Sequence, residues 1–250
     1  MNNDREKIIL ETLKAKQSVD VKQLCKLLYA SESTVRRTLT NLEKKGLIIR
    51  AHGKALDAGV YADKNIAFFL RENVAGGIKE KIAEQAVKEC AFSGAVFMLD
   101  ASSTVMKTVD FIKTYKDIIV ITSGIKTLFA LTQTDIKYVS TGGQAINSSY
   151  SFIGQTAIDT IKNFNADVCF LSCHGISANG FVTDTSVPEN DVRKAMMQNS
   201  KRNVLLIDST KINNGCWHNL CNIADFDDVF CDAPLPEEIM ANVKNFHLVK

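Results

Sequence analysis

The 250-residue chain has no uncharged apolar run of about 18 residues or more, which excludes a membrane-spanning helix. Its opening stretch, MNNDREKIIL, lacks the apolar core of a secretory signal, so a cytoplasmic protein is expected. A disulfide framework is also missing. The seven cysteines (Cys25, Cys90, Cys169, Cys173, Cys216, Cys221 and Cys231) are odd in number and scattered, and reduced thiols are expected. No GxGxxG follows a strand-like run and no GxxxxGK[ST] occurs, which argues against dinucleotide and P-loop nucleotide sites. Cys169, Cys173 and His174 lack further ligands at metal spacing, as do Cys216, His218 and Cys221, so neither a metal nor a cofactor is expected.

What is present is a charge asymmetry. Net charge is only +2, but residues 1–54 hold 12 Lys+Arg against 6 Asp+Glu, while the remainder is mildly acidic. A basic head on an acidic body points to a polyanion partner for the head.

In the head, residues 5–16 have helical spacing, with Ile9 and Leu13 one turn apart. Asp20 and Gln23 form a capping-box pattern before an apolar stripe of Val21, Leu24, Cys25 and Leu28. After the turn YAS, Ser31 caps a third helix. At 100° per residue, Val35, Thr38, Leu39 and Leu42 share one face of it. Ser33, Arg37, Thr40 and Lys44 share the opposite face, with Arg36 at its flank. Hydroxyls near the start of such a helix (Ser31, Ser33, Thr34) and its arginines can reach bases or phosphates in a major groove. Gly46 suits the helix end, and LIIRAHGK reads as a hairpin wing that would lay Arg50, His52 and Lys54 beside the DNA backbone. The plainer alternative is a solvated basic helix. Three tightly connected helices with a basic wing make that alternative the weaker one.

Residues 57–77 are a poorly patterned connector, which gives a domain at 1–56 and another at 78–250. In the second, short apolar runs (AVFML, DIIVIT, IKYVS, DVCFLSC, NVLLID, DVFCD) alternate with helical segments, including STVMKTVDFIK and a closing PEEIMANVKN. This is the pattern of a parallel sheet covered on both faces. Ligands of such sheets bind beyond the carboxyl ends of the strands. The strand-end loops there are DASST, TSG, STGGQ, SCHGIS and DSTK. Ser102, Ser103 and Thr104 open a helix, where free N–H groups and the helix dipole favour an anion. Gly142 and Gly143 allow close backbone approach, and Lys211 can reach a phosphate or hydroxyl. Each feature alone is ordinarily a cap, a turn or a surface lysine. Their clustering at one sheet end suggests a pocket for a small phosphorylated ligand.

SESTVRRTLTNLEKKGLIIRAHG resembles the helix-turn-helix signature of the DeoR family of bacterial transcription regulators, with Thr38 in place of Asp and Lys54 in place of a wing Gly. The body resembles that family's sensor domain through KEKIAEQA, LDASST, ITS, STGGQ, FLSCHGISANGFVTD, PENDVRKAMM and LLIDSTK, in the family's order. The resemblance implies a winged helix-turn-helix followed by a Rossmann-like parallel α/β sensor similar to ribose-5-phosphate isomerase. It also implies operator DNA and a phosphorylated sugar effector as partners. Ser102 replaces a common Gly, Ser123 a common Asn, and Cys173-His174 smaller residues. Besides the loop residues named above, Thr122, Ser123, Asp100, Glu189 and His174 are therefore candidate ligand contacts. Two-fold operators imply a homo-oligomer. An isomerase or deaminase carrying a DNA-binding head is the alternative. The loop CHGIS lacks the acid such an enzyme needs as a base, so a non-enzymatic repressor of carbohydrate genes is expected.

Overall fold

The structure is a computed structural model that describes residues 2–16, 18–44, 47–51, 54–57, 68–73 and 76–250. The chain divides into two compact units, Met1–Val74 and Ala75–Lys250. No helix among the described residues is long and apolar enough to cross a membrane.

The first unit contains helices α1 (Asn2–Lys16), α2 (Val21–Leu27), α3 (Glu32–Lys44) and α4 (Phe68–Asn73). Strands β1 (Ser18–Asp20), β2 (Ile48–Ala51) and β3 (Lys54–Asp57) form an antiparallel sheet in the order β1-β3-β2. Its core joins Ile9 and Leu13 of α1, Val21 and Leu24 of α2, and Val35, Leu39 and Leu42 of α3 to Ile48 and Ala55 of the sheet. The apolar stripe read from α3 is the buried one, Thr38 included. The capping box expected at Asp20 does not form. Asp20 is also the last residue of β1, opposite Lys54, and its side chain makes no capping bond. Ser31 does cap α3, since Oγ accepts from Thr34 N–H at 3.4 Å. Gly46 and His52 lie outside the described residues. Part of the stretch read as a connector, 68–73, is helical.

The second unit is built on a seven-stranded, all-parallel sheet. Its strands are β4 (Val96–Leu99), β5 (Ile119–Thr122), β6 (Lys137–Ser140), β9 (Ala166–Leu171), β12 (Ser200–Leu206), β14 (Asp228–Cys231) and β15 (Asn245–Leu248). Their order is β15-β14-β12-β9-β4-β5-β6. Alternate residues leave opposite faces, as strand geometry requires. Phe97 and Leu99 pack with Phe170, Val204, Leu206 and Phe230 under helix α5 (Gly76–Cys90). Met98, Cys169, Leu171 and Leu205 join the core on the other face. That second face is covered by helices α9 (Gln155–Lys162) and α10 (Val187–Gln198) and by an antiparallel sheet of β10 (Gly175–Ile176), β11 (Phe181–Asp184) and β13 (His218–Asn222). Burial on both faces explains why the strands read as continuous apolar runs.

Four features differ from the sequence reading. STVMKTVDFIK forms two short helices, α6 (Ser103–Met106) and α7 (Val109–Ile112), rather than one. DVFCD is not the last strand, because β15 follows it and pairs with it in parallel. The closing helix α11 is only Glu237–Met240. The β10-β11-β13 sheet and a hairpin of β7 (Gln144–Ile146) and β8 (Ser151–Ile153) have no counterpart in the apolar runs, because their strands are short and partly polar. Helix α8 (Ile125–Leu131) follows β5 as expected.

Candidate functional site

The loops after β4, β5, β9 and β12 meet at the carboxyl end of the parallel sheet. Asp100 directly follows β4 and is buried, 1% exposed. Its Oδ1 accepts from Ser102 N–H at 2.9 Å, and its Oδ2 accepts from Ser172 N–H at 3.2 Å. This turns the chain so that Ser102 caps α6, with Oγ accepting from Val105 N–H at 3.1 Å. Ser102, Ser103 and Thr104 are all buried. Among the described residues, the N–H groups of Ser103 and Thr104 donate to nothing. The helix they open has only four residues, so the helix dipole expected from the sequence contributes little. A side chain overlooked in the sequence supplies positive charge instead. Lys79 of α5 is 2% exposed, and its Nζ donates to Ser103 Oγ at 3.3 Å. It occupies the apolar face of α5, in step with Ile82, Ala83 and Ala86. A lysine at that helical phase was the available signal.

The second overlooked residue is Arg193 of α10, also buried. Its Nε donates to Asp100 Oδ2 at 3.1 Å, and its Nη1 to Asp184 Oδ2 at 2.8 Å and Asn190 Oδ1 at 3.0 Å. Burial opposes the guanidinium charge, but Asp184 and Asp100 outweigh it and hold the Arg193 pKa above its usual value. Burial likewise pushes the Asp184 carboxyl up. The charges of Arg193 and His174 and two backbone N–H groups then bring it below the usual carboxylate value. Asp100, which the sequence suggested as a free acceptor of sugar hydroxyls, is therefore occupied by Arg193 and two backbone N–H groups.

A narrow crevice of about 10 Å³, room for about one water, opens beside these groups, lined by Asp100, Ala101, Ser123, Ser151, Phe152, Glu189, Val192 and Arg193. Three residues nominated from the sequence (Asp100, Ser123, Glu189) thus share one space. The others are distributed around it. Thr122 is buried and ties strand ends together, donating to Leu99 C=O at 2.7 Å and accepting from Gly124 N–H at 3.0 Å. Gly142 and Gly143 both have positive φ. A Cβ on Gly143 would meet the Ile153 carbonyl oxygen at 2.4 Å, so this glycine lets the loop pack closely on β8. His174 Nδ1 lies 3.8 Å from Asp184 Oδ1. Lys211, half-buried on a 3-10 turn, donates its backbone N–H to Asp208 C=O. Burial pushes the Cys173 thiol well above its ordinary value, with Lys211 opposing. Such a thiol stays protonated and is a poor metal ligand or nucleophile.

In the first unit, Ser33, Arg36 and Arg37 are exposed on α3 and Lys54 on β3. Thr34 and Thr40 are half-buried, and Lys44 ends the helix. Arg36 is paired with Glu32 at 2.6 Å. Arg50 turns back onto α3, donating to Thr40 Oγ1 at 2.8 Å and lying 3.7 Å from Glu43. Among the described residues, Arg37 has neither a carboxylate nor a hydrogen-bonding partner.

Residues 5–57 match the DeoR-like helix-turn-helix domain, and residues 76–233 match the DeoR C terminal sensor domain. The glycerol-3-phosphate regulon repressor of Escherichia coli is 24% identical over 241 residues, covering 96% of this chain and 94% of the relative. An L-fucose operon activator of Haemophilus influenzae is 28% identical over 240 residues, covering 95% and 94%. Ribose 5-phosphate isomerase of Plasmodium falciparum is a more distant structural likeness, with TM-score 0.41 and 18% identity over 54% of this chain and 52% of that one. With both units matched in order, this chain belongs to the DeoR family of transcriptional regulators.

Proposed function

We propose that this regulator binds operator DNA through α3 and the β2–β3 wing, and that a phosphorylated sugar bound at the sheet end of the second unit controls that binding. The observation that carries the effector half is the buried Lys79 ammonium beside Ser103, next to the undonated N–H groups of Ser103 and Thr104. A cation and free donors held out of bulk water suit a phosphate better than any neutral group. The repressor and the activator among the relatives both act on carbohydrate or polyol-phosphate genes by their names, which supports this ligand class. Control is a population shift. The effector binds one arrangement of the sensor better, and the segment 57–77 passes that preference to the heads of a homo-oligomer on a two-fold operator.

The site reads as binding without turnover. Asp100 already accepts three hydrogen bonds, from Arg193 and two backbone N–H groups, which use most of its acceptor capacity. It is poorly placed to take a proton from a sugar carbon.

The test is a thermal-shift screen of the full chain against phosphorylated sugars, followed by gel shifts with an operator duplex selected from random sequence. A sugar phosphate that both raises Tm and changes DNA retention is expected. Turnover of an aldose or ketose phosphate would sink the sensor reading, and no response to any sugar phosphate would sink the effector assignment.

A further inference from the structure

Strand β6 closes one edge of the parallel sheet and, among the described residues, pairs only with β5. Lys137, Tyr138 and Ser140 of this strand are exposed, and Val139 is half-buried. Just past the strand, Thr141 N–H donates to Thr122 C=O of β5 at 3.0 Å. Alternate residues of a parallel strand bond to the same neighbour, so Val139 and Lys137 also turn their backbone groups to β5. Tyr138 and Ser140 turn theirs outward, to no partner among the described residues. The free stretch is bounded on both sides. Ile136 N–H donates to Thr134 Oγ1 at 3.3 Å, and Gly142 N–H donates to Ser140 Oγ at 3.1 Å. Proteins ordinarily blunt such an edge with proline, a bulge, charge or a covering segment. Strand β6 has no proline and no bulge, and its one charged residue, Lys137, stands at the first position.

We propose that β6 pairs antiparallel with β6 of a second copy of this chain, about a two-fold axis at Val139. The proposal rests on the homo-oligomer proposed above and names where its copies meet. In this register Tyr138 lies opposite the partner's Ser140, and Ser140 opposite the partner's Tyr138. Each pair exchanges two hydrogen bonds, so every outward N–H and C=O of the free stretch is matched. Moving the axis one residue either way sets an outward residue against Ile136 or Gly142, whose N–H groups are already used. Val139 meets the partner's Val139 in the pair without hydrogen bonds, Cα atoms about 4.5 Å apart. Such a pair favours β-branched side chains. The two Lys137 residues stand about 13 Å apart along the strands, beyond the screening length of about 10 Å. Tyr138 is 41% exposed and shares its sheet face with Val120 and Leu131, so the partner's edge covers a bare ring. The opposite edge, β15, suits self-pairing less well. Val249 N–H donates to Cys231 C=O, so the same alternation leaves Phe246 and Leu248 outward and puts the axis on His247. That ring is stacked on Phe230 and bonded to Asp228, and two imidazoles would replace two valines at the axis.

The experiment is analytical sedimentation of the full chain, joined to disulfide capture across the axis. The wild type should sediment as a dimer or a larger assembly. Val139→Cys treated with diamide should run as a covalent dimer on a non-reducing gel, because two cysteines at the axis meet disulfide geometry. The wild type under the same treatment sets the background from its seven native cysteines. Lys137→Cys, about 13 Å from its counterpart, should not rise above that background. Ser140→Pro removes an outward N–H and leaves the ladder to β5 intact. One donor is then lost from each copy, and association should weaken about tenfold or more. If circular dichroism shows that Ser140→Pro does not fold, capture through Val139→Cys decides alone. Background-level capture from a Val139→Cys chain that still associates overturns the β6 pairing and leaves the homo-oligomer standing. A folded Ser140→Pro that associates as tightly as the wild type does the same. A wild type that is monomeric at every concentration sinks the homo-oligomer, and the pairing falls with it.

Discussion

Arg193 Nε lies 3.1 Å from Asp100 Oδ2, joining residues 93 positions apart in the chain. Through this contact α10 is fastened to the loop that opens α6, because the other oxygen of Asp100 holds Ser102 N–H. One buried guanidinium therefore sets the shape of the strand-end loop and also lines the crevice.

That position makes Arg193→Met a severe change. It leaves Asp100 buried without its counter-charge and Asp184 with only His174 nearby. Removing one partner from a buried ion pair costs about 3–5 kcal/mol. Urea unfolding of the full chain should show a loss in that range, with Arg193→Met/Asp184→Asn recovering part of it. A single variant within about 1 kcal/mol of wild type would show that the network adds little to stability.

Acid should weaken the second unit through Asp228. Burial pushes this carboxyl up, but hydrogen bonds from Arg202 at 2.6 Å and His247 at 2.9 Å, with their charges, bring it below the usual value. A folded-state pKa below the unfolded value of about 3.9 stabilises the fold fully above that pH. The contribution disappears as pH falls below it and through the folded value. Asp228→Asn should therefore be less stable than wild type at neutral pH, and the gap should narrow once the pH is brought below about 3.9. A gap that persists unchanged in urea melts at that pH would assign the effect to packing. His247 also stacks on Phe230, with ring centroids 4.1 Å apart, so that stack should survive the substitution.

The order of strands and helices was readable because every central strand is buried on both faces and reads as an apolar run. The α3 face was readable because Val35, Leu39 and Leu42 keep helical phase. The site was only half legible. Ser102, Ser123 and Glu189 sit in strand-end loops or near a helix start, where a ligand is expected from the sheet alone. Lys79 and Arg193 lie in helix interiors, and Asp184 is a strand residue whose partner is nine positions on and nearly two turns into α10. Their roles come from the packing of α5 and α10 against the sheet, which no local pattern records. Gly143 shows the converse: a glycine pair gives the backbone shape, but the neighbour it packs on, β8, is not written in the pair.

In the head, the partners of each arginine divide their roles. Arg36 is held by Glu32, and Arg50 by Thr40 and Glu43, whereas Arg37 is free among the described residues. Arg37→Ala should abolish retention of a selected operator duplex in a gel shift while the circular dichroism spectrum stays unchanged. Lys54→Gly, which restores the residue common in the family wing, should weaken binding evenly across sequences. It should also lower the salt slope by about one unit, as loss of a phosphate contact does. Unchanged retention by Arg37→Ala would remove α3 from the groove.

Lys79→Met tests the phosphate seat at its least ambiguous point. The side chain is buried against Ser103, and methionine keeps its length and apolar stem. Methionine removes the charge but keeps the buried stem, so the fold should keep about wild-type stability. Affinity for inorganic phosphate, measured by titration, should nevertheless fall by at least tenfold, since about 1.4 kcal/mol is the smallest loss expected for a desolvated charge-assisted bond. The combination of these two results is diagnostic. A lysine that served only to hold the loop would lose stability on replacement, and its phosphate affinity would follow the fold.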